Sequence, residues 1–197
     1  MIRKVVFLVE GQTEAASFKK KFFKVYKISP HLRTIKCNGK TVTAQTYANK
    51  SKPTVLLCLN DMFKKIVCVI DRERRREDVK TLASEFKKAI IEGVLADSAN
   101  NFLRKDLENK IRVCFADRMF ENWILADVEG LKSSNLIKSS AKQDGFEGEN
   151  GVNLLNKLMS CKYRKIEHAP TLFEFIRFSS AKKNSQSFLY FLNLFSS

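Results

Sequence analysis

Acidic residues directly follow two short apolar segments of this sequence. Glu10 comes after Val5–Val9, and Asp71 and Glu73 come after Ile66–Ile70. Carboxylates that lie close together repel one another unless a proton or a cation separates them. Carboxylate oxygens are also the ligands that Mg²⁺ prefers in proteins. The pattern predicts that these three acids hold a divalent metal ion, Mg²⁺ or Mn²⁺.

A fourth acid, Glu121, stands just beyond the apolar segment Ile111–Ala116. Metal ions held by such acids can stabilise the attacking and leaving oxygens when a phosphodiester bond is cleaved. We expect Glu10, Asp71 and Glu73 to be catalytic and Glu121 to complete the metal site, with Glu10 also able to transfer a proton. The alternative is that these acids only stabilise the first turns of the helices that follow them.

The densest basic run of the chain adjoins the second acidic motif and consists of Arg72, Arg74, Arg75 and Arg76. A guanidinium group presents a planar set of donors that matches the oxygens of a phosphate. The run therefore predicts contacts with nucleic-acid phosphates beside the scissile bond. The alternative is a solvated turn at the start of a helix.

The elements that must position these residues follow from the apolar pattern. The segments before the acids are too short for buried helices, and their Val and Ile residues favour parallel strands covered on both faces. We predict strands at 5–9, 32–37, 66–70 and 111–116, separated by helical segments that include 13–27 and 77–94. Ligands bind outside the carboxyl ends of such strands, so the acids should meet there. Glu73 faces the same place if the chain stays extended after Asp71.

The segment between the second and third strands carries two helix signals. One helix begins within 41–48, and Pro53 predicts the first turn of another helix that ends near Phe63. The whole pattern predicts an α/β, Rossmann-like fold with a mostly parallel four-stranded sheet flanked by helices. This core should span 1–130, and residues 131–197 should form a helical extension that packs on it as part of one compact domain. Phenylalanines of the extension, such as Phe173, Phe188 and Phe191, are expected to be core contacts.

The charge balance of the chain is strongly basic. It has 36 Lys and Arg against 21 Asp and Glu, a net charge of +15 and a pI near 9.7. Such an excess favours a polyanionic partner, and DNA or RNA is the commonest one. The alternative is that lysines merely solvate the outer faces of helices.

Several classes of protein are disfavoured by the sequence. No apolar stretch approaches the length that spans a membrane, and Glu10 interrupts the N-terminal apolar run too early for a signal peptide. The five cysteines include no Cys-x-x-Cys pair, and the two histidines lack zinc-ligand spacing. A dinucleotide-binding Gly-x-Gly-x-x-Gly motif and a P-loop are also missing from the sequence. We therefore expect a reduced, cytoplasmic protein that does not contact membranes.

Two of these motifs together resemble the Toprim domain, the metal-binding module of topoisomerases, primases and OLD-family nucleases. Its pattern is a first-strand glutamate followed by glycine, and then a later strand that ends in Asp-x-Asp. Val9-Glu10-Gly11 matches the first part, and Asp71-Arg72-Glu73 matches the second with glutamate in place of the last aspartate. The resemblance implies that these acids hold Mg²⁺ in a Rossmann-like Toprim fold.

Further blocks are similar to small single-domain Toprim-like proteins related to OLD and RloB-type proteins of bacterial defence and mobile elements. These blocks are 8–14, 121–127, 163–165 and 185–188. The resemblance implies that Lys165 approaches the site and stabilises charge that develops on the phosphate. The alternative is that Lys165 is a surface lysine on a capping helix. Lys40, after the Asn38-Gly39 turn, is a candidate contact for the nucleic acid. A partner protein such as an ATPase is also expected from the resemblance.

The function predicted at this point is a Mg²⁺-dependent endonuclease or phosphodiesterase that acts on DNA or RNA. Two alternatives stay open: a small ribonuclease of RNA maturation, and a non-catalytic nucleic-acid-binding Toprim subunit of a larger complex. A topoisomerase or a primase would need further domains that a chain of 197 residues does not accommodate. The oligomeric state, monomer or homodimer, is left open by the sequence.

Overall fold

The computed structural model describes residues 4–27, 29–37, 42–97, 101–143 and 145–196. Four strands form one sheet: β1 (Val5–Val9), β2 (His31–Thr34), β3 (Lys65–Asp71) and β4 (Ile111–Ala116). Their order in the sheet is β2-β1-β3-β4, and every neighbouring pair is parallel. The predicted α/β fold with a four-stranded sheet is therefore confirmed, and the sheet is parallel throughout.

Side chains of the strands alternate between two apolar layers, as the two-residue period of a strand requires. Phe7, Val67 and Cys114 point into one layer, whereas Leu8 and Cys68 point into the other. Three helices belong to the second layer: α2 (Ala44–Asn60), α3 (Val79–Leu95) and α4 (Arg104–Lys110). Because both faces are covered, the strands read as nearly continuous apolar runs.

The first layer holds α1 (Gln12–Tyr26) and most of the C-terminal part of the chain. That part forms six helices in the described residues: α5 (Phe120–Leu125), α6 (Val128–Lys132), α7 (Gly151–Leu158), α8 (Lys165–Phe175), α9 (Phe178–Asn184) and α10 (Gln186–Ser196). Helix α8 packs along α1, and α10 packs on β3 and β4. The predicted helical extension thus covers one face of the sheet.

Aromatic side chains from distant parts of the chain meet in the first layer. The ring of Phe18 stacks on that of Phe191 with centroids 5.3 Å apart, and Phe7 lies 5.8 Å from Phe191. Phe173 and Phe188 are fully buried in the same cluster. The prediction that the C-terminal phenylalanines are core contacts is confirmed for these residues. The apolar layer continues across residues 130 and 131, where the predicted core and extension meet.

The predicted break at Pro53 is wrong, because one helix, α2, runs through it from Ala44 to Asn60. A proline inside a helix costs about 3 kcal/mol through its missing N–H and its clash with the preceding turn. The buried stripe of α2 nevertheless continues on both sides of the proline, with Tyr47 before it and Val55 after it. Packing of this stripe against α3 and the sheet outweighs the local cost.

No helix in the described ranges is both long enough and apolar enough to cross a membrane.

Candidate functional site

The carboxyl ends of β1 and β3 bring the first two predicted acids into contact. Glu10 follows the last residue of β1, and Asp71 is the last residue of β3, the neighbouring strand. The backbone N–H of Asp71 donates a hydrogen bond of 3.1 Å to Oε2 of Glu10. The parallel register therefore places Glu10 and Asp71 next to each other at the sheet edge, where the charge of Glu10 acts on the carboxyl group of Asp71. Their role as metal ligands stays a prediction.

Lys165 lies at the same edge, between two further carboxylates. Its Nζ is 2.9 Å from Oε1 of Glu14 and 3.6 Å from Oε1 of Glu121. The hydroxyl of Tyr163 donates a hydrogen bond of 3.1 Å to that same oxygen of Glu121. Glu14 and Glu121 are buried, while the lysine side chain is 40% exposed. The lysine side chain is therefore only partly covered by the protein.

Helix α8 carries Lys165 and is held parallel to α1 at both ends. At its start, Lys165 pairs with Glu14 in the first turn of α1. At its end, the ammonium of buried Lys21 on α1 donates to the carbonyl oxygens of Glu174 and Ile176. These carbonyls are among the last of α8, where backbone acceptors lack partners within the helix. The two contacts fix the position of Lys165 along the sheet edge.

The glycine of the Val9-Glu10-Gly11 motif makes room for Glu14. A Cβ atom at position 11 would lie 2.7 Å from Oε2 of Glu14, closer than van der Waals contact allows. Glycine therefore lets the Glu14 carboxylate fold back over the start of α1. The motif thus brings a second acid close to the sheet edge, one helical turn beyond Glu10.

The two strand-end carboxyl groups are protonated more readily than ordinary ones. Burial is the main cause that raises the pKa of Glu10 to about 7, and the nearby charge of Glu14 adds to it. Burial also raises the pKa of Asp71 well above its usual value, with further contributions from Glu10 and Glu121 and an opposing one from Lys165. Such desolvated, mutually repelling acids are typical of functional sites.

The charge of Lys165 is stabilised by its acidic neighbours. Burial lowers the pKa of its ammonium group, but the carboxylates of Glu121, Glu14 and Asp71 outweigh that effect and raise it above the usual value for lysine. Burial and the same acids raise the pKa of the Tyr163 hydroxyl, which stays protonated. Lys165 is therefore a permanent cation within a group of acids.

The extended backbone expected at Glu73 is wrong. Its φ angle is +56°, in the left-handed region, and its N–H donates to the carbonyl of Arg118 at 2.6 Å. Glu73 is only partly buried. Its charge makes the smallest of the contributions that raise the pKa of Glu10. The turn after β3 therefore leaves Glu73 at the margin of the site, and its metal-binding role stays a prediction.

Two arginines of the run, Arg72 and Arg75, bind neighbouring groups of the protein, and the other two are exposed. Arg72 pairs with Asp117 at 2.8 Å. Arg75 donates to the carbonyls of Asp71, Arg72 and Val42 and lies over the rings of Phe86 and Phe115. Its guanidinium thus fastens the turn after β3 to the core.

The other two arginines of the run, Arg74 and Arg76, are exposed to solvent. For them, contact with a phosphate stays a prediction. The last predicted nucleic-acid contact, Lys40, lies outside the described residues.

Glu14 and Tyr163 are parts of this site that the sequence analysis did not assign. Glu14 lies in the first turn of α1, directly after the strand-end motif, so the Glu-Gly-Gln-Thr-Glu segment held a usable signal. Tyr163 lies two residues before Lys165 in a polar segment with no periodicity. Its backbone N–H donates to Asn156 on α7, and packing of α7 and α8 on α5 brings its hydroxyl to Glu121.

Comparison with known families supplies one match. The model of a domain of unknown function, DUF4276, matches residues 9–195. The chain belongs to the DUF4276 family. Comparison of this chain with the curated proteins and with the solved structures found no match. The matched range of this DUF4276 protein includes both strand ends, Glu14, Glu121 and Lys165.

The carboxylates of this DUF4276 site meet some of the requirements for binding a small divalent metal ion. In the described ranges, no group of three or more His, Cys, Asp or Glu side chains is arranged to hold a metal. Mg²⁺, however, usually takes only one or two carboxylates and completes its shell with waters and substrate phosphates. Oε1 of Glu10 is buried and has no hydrogen-bond partner among the residues that the structure describes. An orphaned carboxylate oxygen beside Asp71 is an observation that fits such an ion.

A polar cavity of about 440 Å³ adjoins Glu10 on the side of β2. It is lined by Glu10, Lys36, Cys37 and Lys50. Both lysines are exposed, and Nζ of Lys50 donates to the carbonyl of Lys36 at 3.5 Å. The cavity combines two cations with one end of the carboxylate cluster, which suits an anionic ligand such as a phosphate.

Proposed function

We propose that this protein is a Mg²⁺-dependent phosphodiesterase that cleaves nucleic acid, with a Toprim-like site. The observation that carries the proposal is the contact between Glu10 and Asp71 at the carboxyl edge of a parallel sheet. Burial and mutual repulsion disfavour two charged carboxylates at this point, and a bound cation would remove that cost. The Toprim resemblance of the two motifs supports the same assignment.

Glu10 and Asp71 are the residues that would hold the ion, and Mn²⁺ is its expected substitute. When bound, the ion would supply charge neutralisation for the phosphodiester and for the oxygens that attack and leave. Glu121 is engaged with Lys165 and Tyr163. Its proposed role is therefore to position the lysine rather than to contact the ion.

Lys165 would bind the phosphate directly. Glu14 and Glu121 hold its ammonium at the sheet edge, and the lysine side chain is partly exposed. A fixed positive charge in a partly desolvated site stabilises negative charge that develops on the phosphate oxygens. The hydroxyl of Tyr163 keeps Glu121 oriented toward the lysine. Lysine, glutamates and tyrosine thus form one preorganised unit.

The substrate would be held mainly through its phosphates. The net charge of +15 attracts polyanions over the whole molecule. Near the site, Lys36 and Lys50 line the cavity that begins at Glu10, and Arg74 and Arg76 are exposed beyond Asp71. The backbone of a nucleic acid that crosses the sheet edge would therefore meet cations on both sides of the carboxylates.

A cleavage assay tests this proposal. Supercoiled plasmid, single-stranded DNA and structured RNA are incubated with the protein and Mg²⁺ or Mn²⁺, in the presence or absence of EDTA. We expect cleavage of at least one substrate that EDTA abolishes. Glu10→Gln, Asp71→Asn and Lys165→Met should each lower the rate about 100-fold or more, as the loss of a major electrostatic contribution does.

The matched control for these variants is Glu85→Gln, which makes the same chemical change on the exposed face of α3. This variant should cleave like the unaltered protein. Cleavage that persists in EDTA, or that survives both Glu10→Gln and Asp71→Asn, would refute the proposal. The substrate panel at the same time separates a DNase from an RNA-maturation ribonuclease.

One observation favours a second candidate, a non-catalytic nucleic-acid-binding subunit. Lys165 already neutralises two of the acids, and the described residues contain no group of three metal-ligating side chains. Such a subunit would bind nucleic acid equally well with Mg²⁺ and with EDTA, and it would cleave none of the three substrates. Metal-dependent cleavage would exclude this candidate.

A further inference from the structure

A second cavity, of about 550 Å³, lies on the opposite side of the carboxylate cluster from Lys36 and Lys50. It opens beside β4, between the start of α3 and one face of α10. Val79, Leu189 and Tyr190 give it apolar walls. Arg72 and Lys80 add two cations, and Asp117, which pairs with Arg72, and Glu147 add two carboxylates, so Lys80 is the cation of this lining without an ion-pair partner among the cavity's own acids. Cavities of this volume with a few polar groups are typical of sites for small ligands.

Hydrogen bonds fix one wall of this cavity before any ligand binds. The backbone N–H of Gly148 donates to Asp117, which follows β4 directly. Arg118 donates to the carbonyl of Gly148 at 2.7 Å, and Glu147 accepts from the backbone N–H of Gln186 at 3.1 Å. The loop that carries residues 147 and 148 is thus tied to the ends of both β4 and α10. Such a wall loses little entropy when a ligand binds.

The lining groups match the parts of one nucleotide. The ring of Tyr190 and the side chains of Val79 and Leu189 offer an apolar surface for a planar base, and stacking on an aromatic ring accepts any base. The exposed side-chain amide of Gln186 can both donate to and accept from the edge of a base. Lys80 and the partly exposed guanidinium of Arg72 supply positive charge for a phosphate.

The cavity lies next to the strand end that carries Asp71, because Arg72 is one of its lining residues. Arg72 follows Asp71 directly in the chain, and its backbone N–H donates to the carbonyl of Ala116 at the end of β4. Arg72 also pairs with Asp117, so its guanidinium group is held at the boundary of the cavity. A nucleotide bound there would lie next to the edge where the acids meet.

We propose that this cavity binds one base of the nucleic-acid substrate, unstacked from its neighbours, while Arg72 and Lys80 bind an adjoining phosphate. This inference rests on the proposed function and deepens it. It assigns the substrate as a strand with at least one unpaired base at the site, such as single-stranded nucleic acid or a loop. Tyr190 acts as the stacking surface, and Gln186 contacts the edge of the base.

The test measures nucleotide binding without cleavage. The full chain in EDTA is titrated with the nucleoside 5′-monophosphates AMP, GMP, CMP and UMP, and with ribose 5-phosphate as a probe that lacks the base. Isothermal titration calorimetry or chemical-shift changes give the affinity. We expect at least one monophosphate to bind at least 10-fold more tightly than ribose 5-phosphate.

Variants of the cavity locate the binding. Tyr190→Ala should weaken the binding of the monophosphate about 10-fold or more, whereas Tyr190→Phe should stay within about 2-fold because the stacking ring remains. Lys80→Ala should weaken it about 3-fold or more, and Lys105→Ala, an exposed lysine on α4, should not change it. If Tyr190→Ala does not fold, Gln186→Ala takes its place, since that side chain is exposed.

The outcomes separate this inference from the proposed function. Glu10→Gln should bind the monophosphate normally while it fails to cleave. Base-dependent binding that needs Tyr190 supports the cavity even if no substrate is cleaved, in which case only the phosphodiesterase proposal fails. Equal binding of ribose 5-phosphate, or binding that Tyr190→Ala and Lys80→Ala leave intact, overturns the cavity assignment even if metal-dependent cleavage occurs.

Discussion

The charged form of Glu10 lowers the stability of the folded protein. Its carboxylate accepts one backbone hydrogen bond through Oε2, while Oε1 is buried without a partner in the described part of the chain. A buried charge with unsatisfied hydrogen-bonding capacity destabilises a fold unless the group takes up a proton or a cation. The metal-free protein is thus expected to be limited in stability by this residue at neutral and alkaline pH.

The stability of the metal-free protein should therefore depend on pH through Glu10. Its pKa is about 7 in the folded state and 4.5 at its ordinary value. Because the folded state binds this proton more tightly, the stabilisation is complete below pH 4.5 and is lost as the pH rises through 7. In EDTA, Glu10→Gln should be more stable than the unaltered protein at pH 8, by about 1–3 kcal/mol, and nearly equal to it at pH 4.5.

Urea unfolding at several pH values measures this difference. Glu85→Gln serves again as the control and should follow the unaltered protein at every pH. The expectation fails if the advantage of Glu10→Gln is as large at pH 4.5 as at pH 8.

The sequence predicted the residues of this site that depend on strands and missed those that depend on helix packing. Glu10 and Asp71 were foreseeable because parallel strands deliver their carboxyl ends to one edge whatever the helices do. Tyr163 was not, since its contact with Glu121 depends on how α7 and α8 pack on α5. The local role of Arg75 was also hidden. Two of its carbonyl partners, Asp71 and Arg72, belong to a turn whose left-handed residue, Glu73, no sequence pattern indicates, and the third, Val42, is distant in the sequence.

At the scale of elements, the close approach of α7 to α5 determines where Glu121 lies. Gly151 is the first residue of α7, and a Cβ atom there would lie 2.7 Å from Cβ of Glu121 and 2.8 Å from Oδ1 of Asn122. Both contacts are too short for a folded protein to tolerate without movement. Glycine at position 151 is therefore a packing requirement of the helix that carries Glu121.

Gly151→Ala should separate these two helices and destabilise the protein by about 1–3 kcal/mol, the usual cost of overpacking. Gly93→Ala is the matched control. A Cβ atom at position 93 in α3 would meet only Ala48 at 3.9 Å, an ordinary contact. That variant should gain about 0.5–1 kcal/mol, because alanine favours a helix interior over glycine. Urea unfolding measures the free energy of unfolding of both variants. Equal changes in the two variants would contradict the close approach of α7 to α5.

The bounds of the strands and helices were predicted best where the apolar pattern of the sequence is strongest. The strands at 5–9 and 111–116 match the structure at both ends, since the first is a continuous apolar run and the second is interrupted only by Arg112. Strand β2 was placed at 32–37 but spans His31–Thr34, because an exposed edge strand has a weaker pattern. The rule that proline marks the first turn of a helix wrongly predicted a new helix at Pro53, because the buried stripe of α2 continues on both sides of this residue.

At the scale of the whole molecule, the net charge of +15 should dominate the affinity for nucleic acid. Each phosphate neutralised by a cation releases counterions, so the logarithm of the binding constant falls with the logarithm of the salt concentration by about 0.9 per contact on duplex DNA. We expect a slope of about −4 or steeper for a 20-base-pair duplex in EDTA. Fluorescence anisotropy between 50 and 200 mM KCl measures it.

The double variant Lys36→Ala/Lys50→Ala should make this slope shallower by about 1–2, because each lost phosphate contact removes close to one unit. A double variant of two lysines on α4, the exposed Lys105 and the half-buried Lys110, removes the same charge away from the carboxylate edge (Lys105→Ala/Lys110→Ala). If both doubles change the slope equally, the cavity beside Glu10 has no special part in binding. An affinity independent of salt would contradict a nucleic-acid partner altogether.

The stacking of Phe191 on Phe18 also has a consequence during protein synthesis. The first helix leaves the ribosome long before the last one, yet the two share a single aromatic layer that also covers Phe7 on the central strand β1. Until translation has passed residue 191, these phenylalanines have no complete cover, and exposed apolar surface promotes aggregation. A growing chain of this protein is thus expected to engage chaperones until its tenth helix has emerged.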